Sequence, residues 1–133
     1  MIRKDLLVKQ MEEFGKMLAL MMTYKRTKDY DTFEATMQEA ATSFTGADLN
    51  TLTKSSREQF LNTVVHSETL NQDQKKILGI LLFEKMMLCA EFGDEETYQH
   101  LKELNRDLYT YLNESPNTLF DLDVYYKLQM LKQ

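Results

Sequence analysis

The sequence predicts an all-α fold of about six helices in stacked antiparallel hairpins, forming either an extended array or an irregular bundle. Helix-breaking residues are scarce, since the chain has four glycines and one proline in 133 residues. Each interior glycine costs a helix about 1 kcal/mol and each proline about 3, so this composition suits long helices. Apolar residues also recur at spacings of three and four, the helical period, and the turns that an all-β domain needs are missing.

The size and composition of the chain predict a single globular domain over residues 1–133. Its residues are 43% hydrophobic and 28% charged, which is typical of a folded domain with a substantial core. No linker is long or polar enough to divide it. The formal net charge of −5 argues against nucleic-acid partners, because phosphate binding requires a basic face.

Cysteine usage and hydropathy indicate a cytoplasmic protein with no membrane partner. Cys89 is the one cysteine, so no intramolecular disulfide can form, as is usual in a reducing compartment. The longest apolar run covers seven residues, Ile77 to Phe83, whereas a membrane span needs about 20. Near the start of the chain, charged residues between Lys9 and Glu13 interrupt the apolar stretch that a secretion signal requires.

The first two helices are predicted to form a hairpin. The first runs from about Lys4 to Lys25, and its apolar positions share one face: Leu7, Met11, Phe14, Leu18 and Met21. Asp29 or Asp31 is the expected N-cap of the second helix, since a short acidic side chain accepts hydrogen bonds from the free amides there. Gly46 stands where a left-handed residue ends a helix. The core stripe of the second helix is Tyr30, Phe33, Met37, Ala40 or Ala41, and Phe44.

The middle of the chain is predicted to contain a short helix and a long one. Residues 47–54 are expected to form a loop or a single turn. Ser55 and Glu58 have the spacing of a capping box and open a third helix, with Phe60, Leu61, Val64 and Val65. Asn71 begins a fourth helix that runs to about Phe92. Because this helix is apolar on nearly every side, it should be central to the fold or form a subunit interface.

Two further helices are predicted in the last third of the chain. Gly93 ends the fourth helix, and Asp94 begins the fifth with acidic residues at the positive end of its dipole. The core stripe of the fifth helix is Tyr98, Leu101, Leu104, Leu108 and Leu112. Residues 113–117, which include Pro116, form the clearest break. Thr118 is the expected N-cap of a last helix, whose core stripe is Leu119, Leu122, Tyr125 or Tyr126, and Leu128.

The first hairpin resembles a tetratricopeptide repeat. When the two are aligned on the turn at Asp29, Leu20 and Tyr24 match on the first helix and Ala40 matches on the second. A second turn begins at Asp94, 65 positions later (94 minus 29), which is close to two repeat lengths. The resemblance implies a tetratricopeptide-like array of hairpins.

Large side chains depart from the repeat pattern at three positions of the first hairpin: Met21, Phe33 and Met37. The first two stand where small residues let the helices of a true repeat approach closely. We therefore expect the two helices to be more widely splayed than in a true repeat.

The opening of the chain is similar to that of a family of short bacterial helical proteins without an assigned activity. The resemblance rests on residues 1–7, 12–16 and 18–19, which read MIRKDLL, EEFGK and LA. It implies a bacterial source and a helical-hairpin fold. It supplies no catalytic residues.

Neither histidine stands in a metal-binding pattern. A di-iron bundle needs Glu three residues before His, and Thr63 and Thr97 occupy those places before His66 and His100. Glu96 and His100 share a helix face, where an exposed i,i+4 contact accounts for them. A zinc site built from several thiolates is excluded by the single cysteine. We therefore expect no metal and no cofactor.

The cysteine is not placed for catalysis. Cys89 falls within the apolar fourth helix, where a thiol is usually an inert core residue. Its activation would need a neighbouring His66 or His100, and nothing in the sequence brings either close. Glycine motifs that bind phosphate are also absent. These observations favour a non-catalytic protein, with enzyme activity left open.

Four tyrosines near the end of the chain are the candidate partner-binding residues: Tyr109, Tyr111, Tyr125 and Tyr126. Tyrosine combines a large rigid area with a polar tip, which suits binding surfaces. The alternative is that these side chains cover the end of the core. Five methionines either line an adaptable groove or pack in the core: Met17, Met21, Met22, Met86 and Met87.

Three functions are compatible with these patterns. The favoured one is a protein–protein interaction or self-assembling module, whose partner is a protein, a peptide or a second copy of the chain. The alternative is a small-molecule-binding protein or enzyme, which predicts a closed cavity between helices with His66 or His100 facing inward. A helix-turn-helix with its connection at residues 67–71 is disfavoured, because the helix that would enter the DNA groove is apolar.

Overall fold

The computed structural model describes residues 2–115 and 121–133, and of residues 2–5 and 7 it describes the backbone alone. This part of the chain contains seven α-helices and no strand: α1 (Ile2–Arg26), α2 (Tyr30–Thr45), α3 (Leu49–Lys54), α4 (Arg57–Phe60), α5 (Gln72–Glu91), α6 (Glu95–Glu114) and α7 (Leu122–Leu131). A π-helical turn, Leu61–Val65, continues α4. The prediction of an all-α fold is confirmed, with one helix more than expected.

The first hairpin has the predicted caps. Asp29 is the N-cap of α2, and its carboxylate accepts from the Thr32 amide at 3.3 Å. Gly46 ends α2 in the left-handed region, with φ of 75°, and its amide donates to the Thr42 carbonyl. α1 and α2 pack against each other. The caps therefore fix both ends of the second helix as the sequence indicated.

The α1–α2 and α5–α6 turns are built in the same way. At each turn an aspartate, Asp29 or Asp94, caps the following helix, and its amide donates at 2.9 Å to the carbonyl five residues earlier. The residue before each aspartate is left-handed, with φ of 61° at Lys28 and 75° at Gly93. The hydrogen bonds of one turn thus recur in the other at an offset of 65 positions.

The segment that we predicted as a loop or single turn forms the helix α3. Asp48 is its N-cap, and one carboxylate oxygen accepts from the amides of Asn50 and Thr51. Both Leu49 and Leu52 are buried. The helix is therefore stabilised by a capping side chain and by two core contacts.

The predicted capping box of the next helix is displaced by one residue. Ser56 and Gln59 form the box, and the predicted pair of Ser55 and Glu58 is wrong. The Ser55 hydroxyl instead donates to the Leu52 carbonyl at 2.7 Å, which satisfies a free carbonyl at the end of α3. One serine closes α3 while the following serine opens α4.

A lysine in the interior supports the end of the π-helical turn. Lys75 in α5 is buried, and its ammonium donates to the Val65 carbonyl at 2.9 Å. The same ammonium lies 4.5 Å from the centroid of the Tyr111 ring. A cation is favoured at the carbonyl end of a helix and over an aromatic face, so this lysine joins the π-helical turn to α5 and α6.

α5 is the central helix, as its apolar composition predicts. It packs against α2 and most extensively against α6. Its buried residues cover about two-thirds of the circumference of the helix: Lys75, Ile77, Leu78, Gly79, Leu81, Leu82, Phe83, Met86, Leu88 and Cys89. The remaining face, with Lys76, Ile80, Glu84 and Met87, is partly exposed. Gly79 faces α6, and a Cβ there would make an ordinary van der Waals contact with the Tyr109 ring at 3.4 Å.

The predicted core stripe of the last helix is confirmed at Leu128 and wrong at Leu122, Tyr125 and Tyr126, which are exposed. Val124, Leu128 and Leu131 are buried, whereas Leu122 is 55% exposed. Both sides of the helix carry apolar residues at spacings of three and four, so periodicity alone does not select the buried side. The expected position of Leu122 in the core is therefore wrong.

The N-cap of α7 is Asp121, whose carboxylate accepts from the Val124 amide at 3.2 Å. The predicted cap Thr118, and with it Pro116 and Leu119, lie outside the described residues. Buried side chains from all seven helices form one hydrophobic core. None of the described helices is long and apolar enough to cross a membrane.

We expect Lys28→Gly to raise the free energy of unfolding by roughly 0.5–1 kcal/mol, because glycine adopts the left-handed conformation at no steric cost. Lys28→Ala is the matched control, since alanine also removes the charge but keeps the Cβ. Urea denaturation of both variants measures the difference. Equal stabilities for the two variants would contradict the strain that we assign to Lys28.

Candidate functional site: the outer face of the last helix

The four candidate tyrosines do not form one surface. Tyr109 is 1% exposed and lies in the core, with its ring edge-to-face against Phe83 at a centroid distance of 6.0 Å. Burial raises the pKa of its hydroxyl well above the usual value, and the hydroxyl has no hydrogen-bond partner among the described residues. Tyr109 therefore packs the α5–α6 interface and cannot contact a partner.

Tyr111 belongs to a polar cluster between α5 and α6. Its hydroxyl accepts from the Gln72 side chain at 3.2 Å and from the Lys75 ammonium at 3.4 Å. Its ring also meets the exposed His66 ring edge-to-face. The side chain is only partly exposed, so Tyr111 mainly joins helices and is separate from the two later tyrosines.

Tyr125 and Tyr126 do lie on the surface. They are 38% and 59% exposed, and their ring centroids are 5.9 Å apart. Leu122 and Met130 are exposed to a similar extent on the same side of the helix, at four-residue spacings from Tyr126. We call these four residues the α7 outer face. Sequence reasoning found its tyrosines and missed the other two, although the spacing of 122, 126 and 130 was available in the sequence.

α7 is thus apolar on two opposite sides. An amphipathic helix at the surface of a globular domain normally carries one apolar stripe and one polar face. Here Val124 and Leu128 occupy the inner side, and Leu122, Tyr126 and Met130 occupy the outer one. The inner side packs in the core, and the exposed outer side is the feature that a functional interpretation has to explain.

Charged contacts at both ends attach α7 to the rest of the domain. At its start, Lys76 of α5 forms an ion pair with Asp121. At its end, the Arg106 guanidinium of α6 donates to the Leu131 carbonyl at 2.9 Å and 3.2 Å. Cations are favoured at the carbonyl end of a helix. The outer face is therefore presented by a helix that is fixed at its first and last turns.

The pKa of Asp121 reflects this attachment. Partial burial opposes ionisation of the carboxyl group, but the hydrogen bonds from Lys76 and from the Val124 amide outweigh it and lower the pKa. The carboxylate is thus stabilised in the folded protein. Its contribution to stability is present above the ordinary carboxyl pKa and is lost as the pH falls through the lowered value.

A pocket of about 260 Å³ with both apolar and polar lining residues adjoins the carboxyl-terminal end of the outer face. Met130 belongs to both, and the pocket is lined further by Phe83, Met86, Met87, Tyr98, Lys102, Leu131 and Gln133. We call it the methionine pocket. All five methionines of the groove hypothesis pack in or against the core. Met86 and Met87 also line this pocket.

A second cavity, of about 440 Å³, is an open cleft between α2, α3, α5 and α6. His100 lines it, with Nε2 at 2.9 Å from the Ser55 carbonyl oxygen. On the wall from α2 and α5, Glu34 and Lys85 form an ion pair at 3.4 Å. This cleft is open, whereas the small-molecule function predicts a closed cavity. His66 lies on the surface outside the cleft.

Cys89 also lines the cleft but is poorly suited to act as a nucleophile. Burial is the main cause that raises the pKa of its thiol, and Asp94 and Glu34 raise it further against the opposing effect of Lys85. The thiol is therefore protonated at neutral pH. Within the described part of the chain, no three histidine, cysteine or acidic residues converge on a common point that could hold a metal ion.

No protein-family model, curated protein or solved structure matches this chain. The function is therefore inferred from the geometry of its own surfaces.

We expect Asp121→Ala to lower the free energy of unfolding by about 1–2 kcal/mol, because it removes an N-cap together with an ion pair. Asp121→Asn should cost less, since the amide oxygen still caps the helix. Urea denaturation at pH values between 7 and about 2 separates the two contributions.

The difference in stability between wild type and Asp121→Asn should disappear at the acid end of this range, where the aspartate is protonated. A difference that stays constant with pH would show that the charge of Asp121 does not stabilise the fold.

Proposed function

We propose that this chain is a non-catalytic protein–protein interaction module and that the α7 outer face is its binding surface. One observation carries the proposal: α7 exposes a second apolar stripe after its first one has been buried in the core. Single exposed apolar side chains are common on monomeric proteins, whereas contiguous ones mark interaction sites.

The residues of the outer face suit protein contacts. Tyrosine and methionine are enriched in the centres of interfaces, and tyrosine is frequent among the residues that dominate binding energy. Leu122 and Met130 flank Tyr126 one helical turn away on each side, so the stripe extends about 12 Å along the helix. The flexible methionines beside it can adjust to the shape of a partner.

The attachment of α7 also favours binding. A surface that is already ordered loses less conformational entropy when a partner binds than a loop does. The contacts of Asp121 with Lys76 and of Arg106 with the Leu131 carbonyl hold both ends of the helix in place. The outer face is therefore pre-organised.

The stacked-hairpin architecture is compatible with this function. The recurrence of one turn at an offset of 65 positions supports the tetratricopeptide-like interpretation of the array, and repeat arrays commonly use exposed helices to bind partners. Because many functions share one fold, the proposal rests on the outer face and not on the architecture.

The open cleft supports catalysis or small-molecule binding less well. Three of its polar side chains already have partners, since Glu34 pairs with Lys85 and His100 contacts the Ser55 carbonyl. Its thiol has a raised pKa. A site for a small ligand normally offers a few converging polar groups in an enclosed space, whereas this cleft is open.

The proposal is tested by comparing the proteins that wild type and Tyr126→Lys capture from a lysate. Tagged wild type and variant are incubated with lysate of the source organism, and bound proteins are quantified by mass spectrometry. If Tyr126 is a central contact, its loss should weaken binding by about 2 kcal/mol, or roughly 30-fold. Because Tyr126 is exposed, the stability of the folded chain should change by no more than about 0.5 kcal/mol.

Gln99→Lys on the exposed side of α6 is the matched control, since it adds the same charge away from the outer face. It should retain the wild-type partner. Equal recovery of that partner by Tyr126→Lys and by wild type would refute a binding role for the outer face.

A further inference from the structure

We draw no further inference here: the strongest candidate, the open cleft of about 440 Å³ between α2, α3, α5 and α6, carries none, because Glu34, Lys85 and His100 have partners within the chain and nothing in the structure shows what would occupy it.

Discussion

A helix that is apolar over most of its circumference must be covered by several other helices, and α5 imposes this constraint on the whole chain. Leu78, Leu81 and Leu82 are fully buried, and the burial of each such side chain contributes roughly 1.5–3 kcal/mol. α2 covers one part of α5 and α6 covers another. The two hairpins share a turn geometry, and Tyr109 of α6 lies against α5 beside Gly79.

Enclosure of α5 by the hairpins leaves α7 at the margin of the fold. α7 packs against α6 with one side and is fixed at both ends by ion pairing and helix-end hydrogen bonds. The other side of α7, with Leu122, Tyr126 and Met130, is exposed. The functional proposal follows from this difference, because an apolar stripe that does not stabilise the monomer is accounted for by contact with another molecule.

The parts of the fold that depend on local chemistry were predictable from the sequence. Asp29, Gly46 and Asp94 are caps because of interactions within a few residues, and α5 is central because of its own composition. α3 was not predicted as a helix because, beside its local Asp48 cap, it depends on the burial of Leu49 and Leu52, which is a tertiary effect. Leu122 was wrongly assigned to the core, although Leu128 was assigned correctly, because two apolar stripes of α7 compete for one core. The sequence likewise did not distinguish the buried Tyr109 from the exposed Tyr125 and Tyr126. The burial of Tyr109 depends on how broadly α6 contacts α5.

The central position of α5 is tested most directly by native-state amide hydrogen exchange measured residue by residue. Amides in a helix enclosed by the whole core exchange only when the protein unfolds globally. We therefore expect the amides of residues 78–88 to be the slowest, with an opening free energy equal to the free energy of unfolding, and those of α7 to exchange faster. Exchange in α5 that is as fast as exchange in α7 would contradict a fold organised around α5.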